Sequence, residues 1–331
     1  MTRDGKPVRR LMMALILGVA LLCLAPLSSV SAQDAAAANG IAIKVNGTTA
    51  KKIGLLFVSE GRLYAPVARI AELLGAASKW DNVNEELTIH TAVNDTIVLG
   101  NGVPVVYFNE GRYRMDAYPF LKSGRLYMPL RQLAELLHAD MKANAGQDAI
   151  ELTTVKPAVV TEDAGLDEIS KTAGGSKTAL LKRNDLDAKS QVKPGTKLKV
   201  IMPSFLEKPA KPFTESDLML LAKITMVEAG YEPFEGQLAL ANVILNRVKD
   251  PKFPDTIHDV IYSGRQFPPA HNGLLDKSKP NASSLRAAKD ALNGRNNIKD
   301  AVYFFNPEVS RGPYWSSLDE IATIGHHRFA R

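Results

Sequence analysis

The chain has 331 residues, 45% hydrophobic and 23% charged, with a formal net charge of +6. Those proportions are of ordinary globular protein and leave room for two or three domains with ample core. Without the four basic residues and Asp4 of its N-terminal leader, 37 Lys and Arg face 34 Asp and Glu, a net +3. This mild excess suits a polyanionic envelope and is too weak for a nucleic-acid surface.

Residues 1–32 read as a secretory signal peptide, with an uncleaved anchor as the other reading. Arg3, Lys6, Arg9 and Arg10 form a basic start, Leu11 to Pro26 an apolar run, and Val30-Ser31-Ala32 a small-residue cleavage site. The one cysteine, Cys23, lies in this run after Leu22, which does not form a lipidation box. The mature chain therefore has neither disulfide nor thiolate metal site. No later apolar run approaches spanning length, so no stable membrane span is expected after signal cleavage. The expected location is secreted, outside the cell.

Residues 41–155 contain an internal duplication. EGRLYAPVARIAELLG from Glu60 returns as SGRLYMPLRQLAELLH from Ser123, with Gly61 mapped on Gly124 at an offset of 63. Each copy reads as a strand, a proline-started helix and a strand, Glu86–Thr91 in one and Ala149–Thr153 in the other. Asp95–Phe108 adds a hairpin turning at Asn101-Gly102. The GRLYxPxRxxAELLG pattern and its repeat resemble the copper amine oxidase N-terminal-like domain. Copper is not implied, because only His90 and His138 fall here, without a thiolate or His-x-His cluster. Tyr64 and Tyr127 suit either packing or stacking on sugar rings.

Residues 156–211 look at first like a Lys-, Ala-, Gly- and Pro-rich spacer, but residues 158–203 within it carry a pattern of their own. Two short apolar helical stretches, Leu166/Ile169 and Leu180/Leu181, nevertheless precede Pro194-Gly195 and a strand over Lys197–Ile201. The Leu-Leu-Lys-x-Asn-x-Leu and Pro-Gly-x-x-Leu-x-Val halves resemble a LysM module, a βααβ unit that binds N-acetylglucosamine-containing glycans. The family's opening Gly-Asp-Thr is replaced by Asp163-Ala164-Gly165. Residues 204–212, with Lys208-Pro209 and Lys211-Pro212, read as a linker into the last domain.

Residues 213–331 suffice for one lysozyme-sized domain. Thr214 and Asp217 have capping-box spacing, and Leu218, Leu221, Ala222, Thr225 and Ala229 mark the core side of the helix that follows. Glu228 comes seven residues after Leu221, about 20° from it around an ideal helix. A carboxyl on such an apolar face is desolvated and can hold a proton near neutral pH. The competing reading lets it escape to solvent at Gly230. Further helices are expected over Gly236–Val248, Thr256–Ile261 and Ser284–Leu292, and a strand over Ala301–Phe305.

The segments EAGYEPFEGQLALANVILNR, FPDTIHDVIYSGRQF, AAKDALNG, YFFNP and IGHHRFA, in this order, resemble the SleB-like family of spore-cortex-lytic and cell wall hydrolases. The resemblance implies a compact α+β, lytic-transglycosylase-like domain with one catalytic glutamate, which maps to Glu228. Ala229-Gly230-Tyr231-Glu232 stands where the family has Ala-Arg-Gly-Glu, so contacts near the site are expected to differ. Motif matches make Glu232, Gln266, Phe267, Tyr303, Asn306, Trp315 and His327 candidate substrate contacts, each with a packing role as the alternative. His326 and His327 are expected to point oppositely on a strand and to share no metal; no cofactor is expected.

The expected architecture is α+β and multidomain: a duplicated α/β domain, a βααβ LysM-like module and a lysozyme/lytic-transglycosylase-like catalytic domain. Its expected partner is the peptidoglycan glycan strand, cleaved between N-acetylmuramic acid and N-acetylglucosamine. N-acetylmuramoyl-L-alanine amidase is the enzymic alternative, although no His and carboxylate set for zinc stands out. A non-catalytic wall-binding protein is the alternative of another class.

Overall fold

The computed structural model describes residues 36–38, 40–144, 146, 148–264 and 266–331. The expected leader, residues 1–32, lies outside them.

The first domain opens with β1 (Ala36–Ala37), β2 (Ala42–Val45), β3 (Thr48–Thr49), β4 (Phe57–Ser59), β5 (Arg62–Pro66) and α1 (Val67–Leu73). An antiparallel ladder follows: β6 (Ala77–Asp81), β7 (Glu86–His90), β8 (Thr96–Gly100), β9 (Val105–Phe108) and β10 (Gly111–Arg114). Then come β11 (Phe120–Lys122), β12 (Arg125–Pro129), α2 (Leu130–Leu136), β13 (Ala139–Ala143) and β14 (Ala149–Thr154). β5 pairs with β12 about Ala65 and Met128, two residues separated by the sequence offset of 63. Alternation along β7 and β8 buries Leu87, Ile89, Ile97 and Leu99 on one face, as a half-buried ladder requires. β6, Ala-Ser-Lys-Trp-Asp, is mostly exposed and carries no apolar alternation, so the pattern did not announce it; its register on β7 holds it.

The middle segment folds as β15 (Ala158–Val159), α3 (Leu166–Thr172), α4 (Lys177–Arg183) and β16 (Lys197–Leu198), with β15 antiparallel to β16. Val160, Ile169, Leu180 and Leu198 form its core. The Asp95 carboxylate, fully buried, receives both the Arg183 guanidinium and the Lys199 ammonium, which ties this segment to the β7–β8 turn. The expected linker is corrected. Phe205 and Leu206 are buried in the first domain's core, where Phe205 packs 5.7 Å from both Phe108 and Tyr113. Arg114 N–H donates to Lys208 O and Ala210 N–H to Arg112 O, so the strap lies along β10. Two adjacent large apolar residues could not stay in water on a free tether.

The last domain comprises α5 (Glu215–Ala229), α6 (Phe234–Lys249), α7 (Ile257–Tyr262), a 3-10 turn (Pro268–Ala270), α8 (Leu274–Lys277) and α9 (Ala282–Leu292). It ends with β17 (Tyr303–Phe305), α10 (Pro313–Ser316), β18 (Glu320–Ile324) and β19 (His327–Ala330), the sheet running β17-β19-β18. Both halves of the Thr214–Asp217 capping box form at the start of α5. α6 is buried along most of its length between α5, α9 and the sheet. The domain docks on the first through Glu85–Arg286 (2.6 Å), Glu86–Lys289 (2.7 Å) and Arg112–Asn293 (2.6 Å). No helix among the described residues is long and apolar enough to cross a membrane.

Candidate active site

Leu221, Ala222, Thr225 and Ala229 of α5 are buried, and Glu228, in the last turn, is half-buried beside them. Among the described residues its carboxyl makes no hydrogen bond and no ion pair. Burial alone therefore acts on it, and raises its pKa above the usual carboxylate value. A carboxyl in this state retains a proton to a higher pH and remains partly open to an incoming group. It is suited to general-acid chemistry.

α5 cannot run on into α6. Pro233, the N-cap of α6, has no N–H to donate and disfavours helical geometry in Glu232. Glu232 N–H closes on Ala229 O, and Glu232 O accepts from Gln237 Nε2 at 2.9 Å. The Glu232 side chain, 7% exposed, enters the turn between β18 and β19. There Oε2 accepts His326 N–H at 3.1 Å, while Oε1 lies 3.1 Å from His326 Nδ1 and 3.3 Å from His327 Nδ1. Gly325 has φ +60, and a Cβ there would run into Glu232 Oε2. Glycine is thus required twice at this position, for backbone and for space.

Two expectations are corrected here. His326 and His327 do not point apart, because His326 sits in the turn rather than on the strand, so both rings reach one carboxylate oxygen. Glu232 itself is engaged by the β18–β19 turn, so its carboxylate ties two elements of the fold together instead of facing open space. The His327 Nδ1 approach lacks hydrogen-bond geometry. Burial lowers the His327 pKa, the Glu232 carboxylate opposes the shift, and His326 adds to it.

His327 meets Phe304 edge-on at 5.6 Å, and Phe304 stacks on Phe267 at 6.2 Å. Phe267 is 0% exposed within the helical core, which corrects its expected role: no face of the ring is free for a sugar. On the other side of β17 a second cluster forms. Half-buried Tyr303 packs against Phe253 at 6.4 Å and is hydrogen-bonded to Tyr314. Half-buried Trp315 lies 4.7 Å from Phe305 and 5.2 Å from Tyr314. Asn306 Oδ1 accepts Glu308 N–H at 2.9 Å and shapes the loop that carries these rings. Gln266 is exposed.

Two residues of this region were not among the sequence candidates. Arg247 is buried without a carboxylate partner among the described residues; its Nε donates to Val302 O at 2.7 Å and its guanidinium lies over Phe253 and Phe267. Burial lowers its pKa to about 10, against the pull of Tyr303 and Tyr314, so it stays charged at neutral pH. Tyr231, three residues after Glu228, is fully exposed. Its signal was the departure from the family's Arg-Gly at 230–231; Arg247 had none beyond its place at a helix end.

Residues 231–330 match the family model described as Cell Wall Hydrolase. The C-terminal domain is a cell wall hydrolase domain. The match begins three residues beyond Glu228, which lies just outside it. Residues 44–152 match the copper amine oxidase N-terminal domain. The cell wall hydrolase domain is 38% identical over 117 residues to a spore cortex-lytic enzyme of Bacillus subtilis (strain 168), covering 35% of this chain and 38% of that protein. Against the spore cortex-lytic enzyme of Oceanobacillus iheyensis the identity is 36% over 119 residues, covering 36% and 43%. The chain thus spans less than half the length of these curated relatives. Among solved structures, the catalytic domain of the germination-specific lytic transglycosylase SleB from Bacillus anthracis is 33% identical, with 37% of this chain and 98% of that chain covered and a TM-score of 0.35. The Bacillus cereus SleB catalytic domain is 34% identical, with 37% and 94% covered and the same TM-score of 0.35.

Proposed function

We propose that the chain is a secreted peptidoglycan-lytic enzyme that cuts the glycan strand between N-acetylmuramic acid and N-acetylglucosamine as a lytic transglycosylase, with Glu228 the single acid and base. The observation that carries this reading is the Glu228 carboxyl: half-buried, without a charged partner, and held toward its protonated form by burial.

In the first step Glu228 gives its proton to the glycosidic oxygen as the bond from C1 of N-acetylmuramic acid breaks. The carboxylate then takes the proton of the C6 hydroxyl of the same sugar, whose oxygen bonds to C1. The product is a 1,6-anhydro end, no water is consumed, and Glu228 is protonated again. A two-carboxylate hydrolase would need a second free carboxylate several ångströms away. The nearest in sequence, Glu232, is held by the β18–β19 turn, which favours the one-carboxylate course over hydrolysis.

Gln266, Tyr303, Asn306, Trp315 and His327 remain the proposed edges of the sugar groove, joined by the exposed ring of Tyr231. Residues 158–203 would hold the wall through a LysM-like surface, with the duplicated first domain as an envelope-associated scaffold. The relatives' name, spore cortex-lytic enzyme, makes cortex the first substrate to test, beside vegetative wall. Digestion of both with wild type and Glu228→Gln, and product analysis by mass, decides. Anhydro-muropeptides that vanish in the variant are expected. New reducing ends would instead mean a hydrolase, free stem peptides an amidase, and intact sacculi a wall binder without activity.

A further inference from the structure

Between the first and last domains lies a cleft of about 560 Å³ that the glycan groove does not use. One wall is the start of β9 and the end of β10, another the ends of α6 and α9, and the strap from Ala210 to Phe213 crosses between them. Arg114, Lys211 and Lys249 line it from three different elements. Among the described residues, none of the three side chains has an ion-pair partner. Lys249 is partly desolvated, and the Lys211 and Arg114 charges both press on it. Two carboxylates share the lining. Asp217 is engaged by Thr214, its Oδ2 accepting the backbone N–H at 3.0 Å and the hydroxyl at 2.7 Å. Asp255 sits exposed. Cations therefore outnumber available anions. The floor is rigid, for Phe213 lies under the Arg112 guanidinium at 4.3 Å, and Arg112 also donates to Lys211 O and Asn293 Oδ1.

We propose that this cleft is a second binding site, for the acidic peptide stem of a peptidoglycan strand, whose free carboxylates seat among Arg114, Lys211 and Lys249. The inference rests on the peptidoglycan reading above. A short peptide fits the mixture of linings: Leu245, Val248 and Ile257 offer apolar wall for small aliphatic side chains, and the cations offer charge-assisted hydrogen bonds. The reach is also right. Asp217, at the cleft, and Glu228 are eleven residues apart on α5, about 16 Å at 1.5 Å per residue. An extended peptide covers that distance in about five residues. A strand cut at Glu228 could thus be held by its own stem, one end of α5 gripping peptide and the other meeting sugar.

The test uses the full chain carrying Glu228→Gln, so that nothing is consumed, and isothermal titration with three probes: a synthetic stem pentapeptide, the same peptide with its carboxylates amidated, and inorganic phosphate. The acidic peptide is expected to bind, and to weaken at least about tenfold on amidation or in Lys211→Gln/Lys249→Gln. Equal binding of the amidated peptide, equal binding by the lysine variant, or phosphate binding as tightly as the peptide would each overturn the proposal. Cleavage of peptide-free glycan by a chain with Glu228 intact separates the two readings. Activity without peptide binding sinks only the second site, and peptide binding without activity sinks only the lytic enzyme.

Discussion

Glu232 Oε2 and His326 N–H, 94 residues apart in sequence, meet at 3.1 Å and join the α5–α6 junction to the β18–β19 turn. The bond is to a charged carboxylate, which makes it worth more than a neutral pair. Glu232→Ala should lower the stability of the cell wall hydrolase domain by about 1–3 kcal/mol, read as a lower melting temperature of its unfolding transition. Glu232→Gln keeps one acceptor oxygen and should lose less. Both variants should keep lytic activity at temperatures where they are folded, since neither oxygen is free for substrate. Loss of activity in a folded Glu232→Gln protein would return Glu232 to the chemistry.

Gly325 tests the same joint from the other side. Its φ of +60 and the position of Glu232 Oε2 leave no room for a side chain. Gly325→Ala should cost about 1–3 kcal/mol through backbone strain and displacement of the carboxylate. Combined with Glu232→Ala, its cost should shrink, because the obstructing group is gone. Full additivity in the double variant would show that the two residues act separately.

Glu228 should show the opposite stability behaviour. Burial raises its folded pKa above the usual carboxylate value. The contribution to stability is then fully present below the unfolded value and is lost as pH rises through the folded one. Glu228→Gln has no charge to bury, so it should gain on wild type in melting temperature as pH climbs past about 4.5, while activity falls by roughly 10²–10⁴. A variant equally active on cortex and vegetative wall would end the role of Glu228 as acid.

His138 reports on the joint between the first domain and the middle segment. The ring is fully buried, with Nδ1 2.7 Å from Val155 O and Nε2 accepting from Val200 N–H at 3.0 Å and Ile201 N–H at 3.2 Å. These partners require a neutral ring with its proton on Nδ1. Burial lowers its pKa, with Val155 O opposing and the nearby Arg183 charge adding to the shift. Its contribution is therefore complete above the unfolded value of about 6.5 and is lost as pH falls below it. Hydrogen exchange at Val200 and Ile201, corrected for intrinsic rates, should accelerate below that pH. Protection that does not change down to the acid transition would rule this coupling out.

Periodicity and caps made the helical half of the last domain readable in the sequence: Thr214 starts α5, α9 ends at Leu292, and the apolar side of α5 is the buried one. Local spacing put Glu228 beside Leu221, because a helix fixes which residues share a face; spacing left burial and escape to solvent at Gly230 both open, and the packing half-buries the carboxyl. The pairing of β5 with β12 about Ala65 and Met128 was not read from the sequence, since it joins strands about sixty residues apart. Other features depend on residues far apart in the chain. Glu232 and His326 look like any two polar side chains until a turn at Gly325 brings both histidine rings to one carboxylate. Phe267 carries no local mark that separates a core ring from a stacking ring, and only packing against Phe304 and α6 buries it. Phe205 and Leu206, in a stretch that reads as tether, are drawn onto the first domain because their apolar surface is better removed from water. Local pattern sets the face a residue occupies; which distant group waits at that face is settled by the three-dimensional packing of the chain.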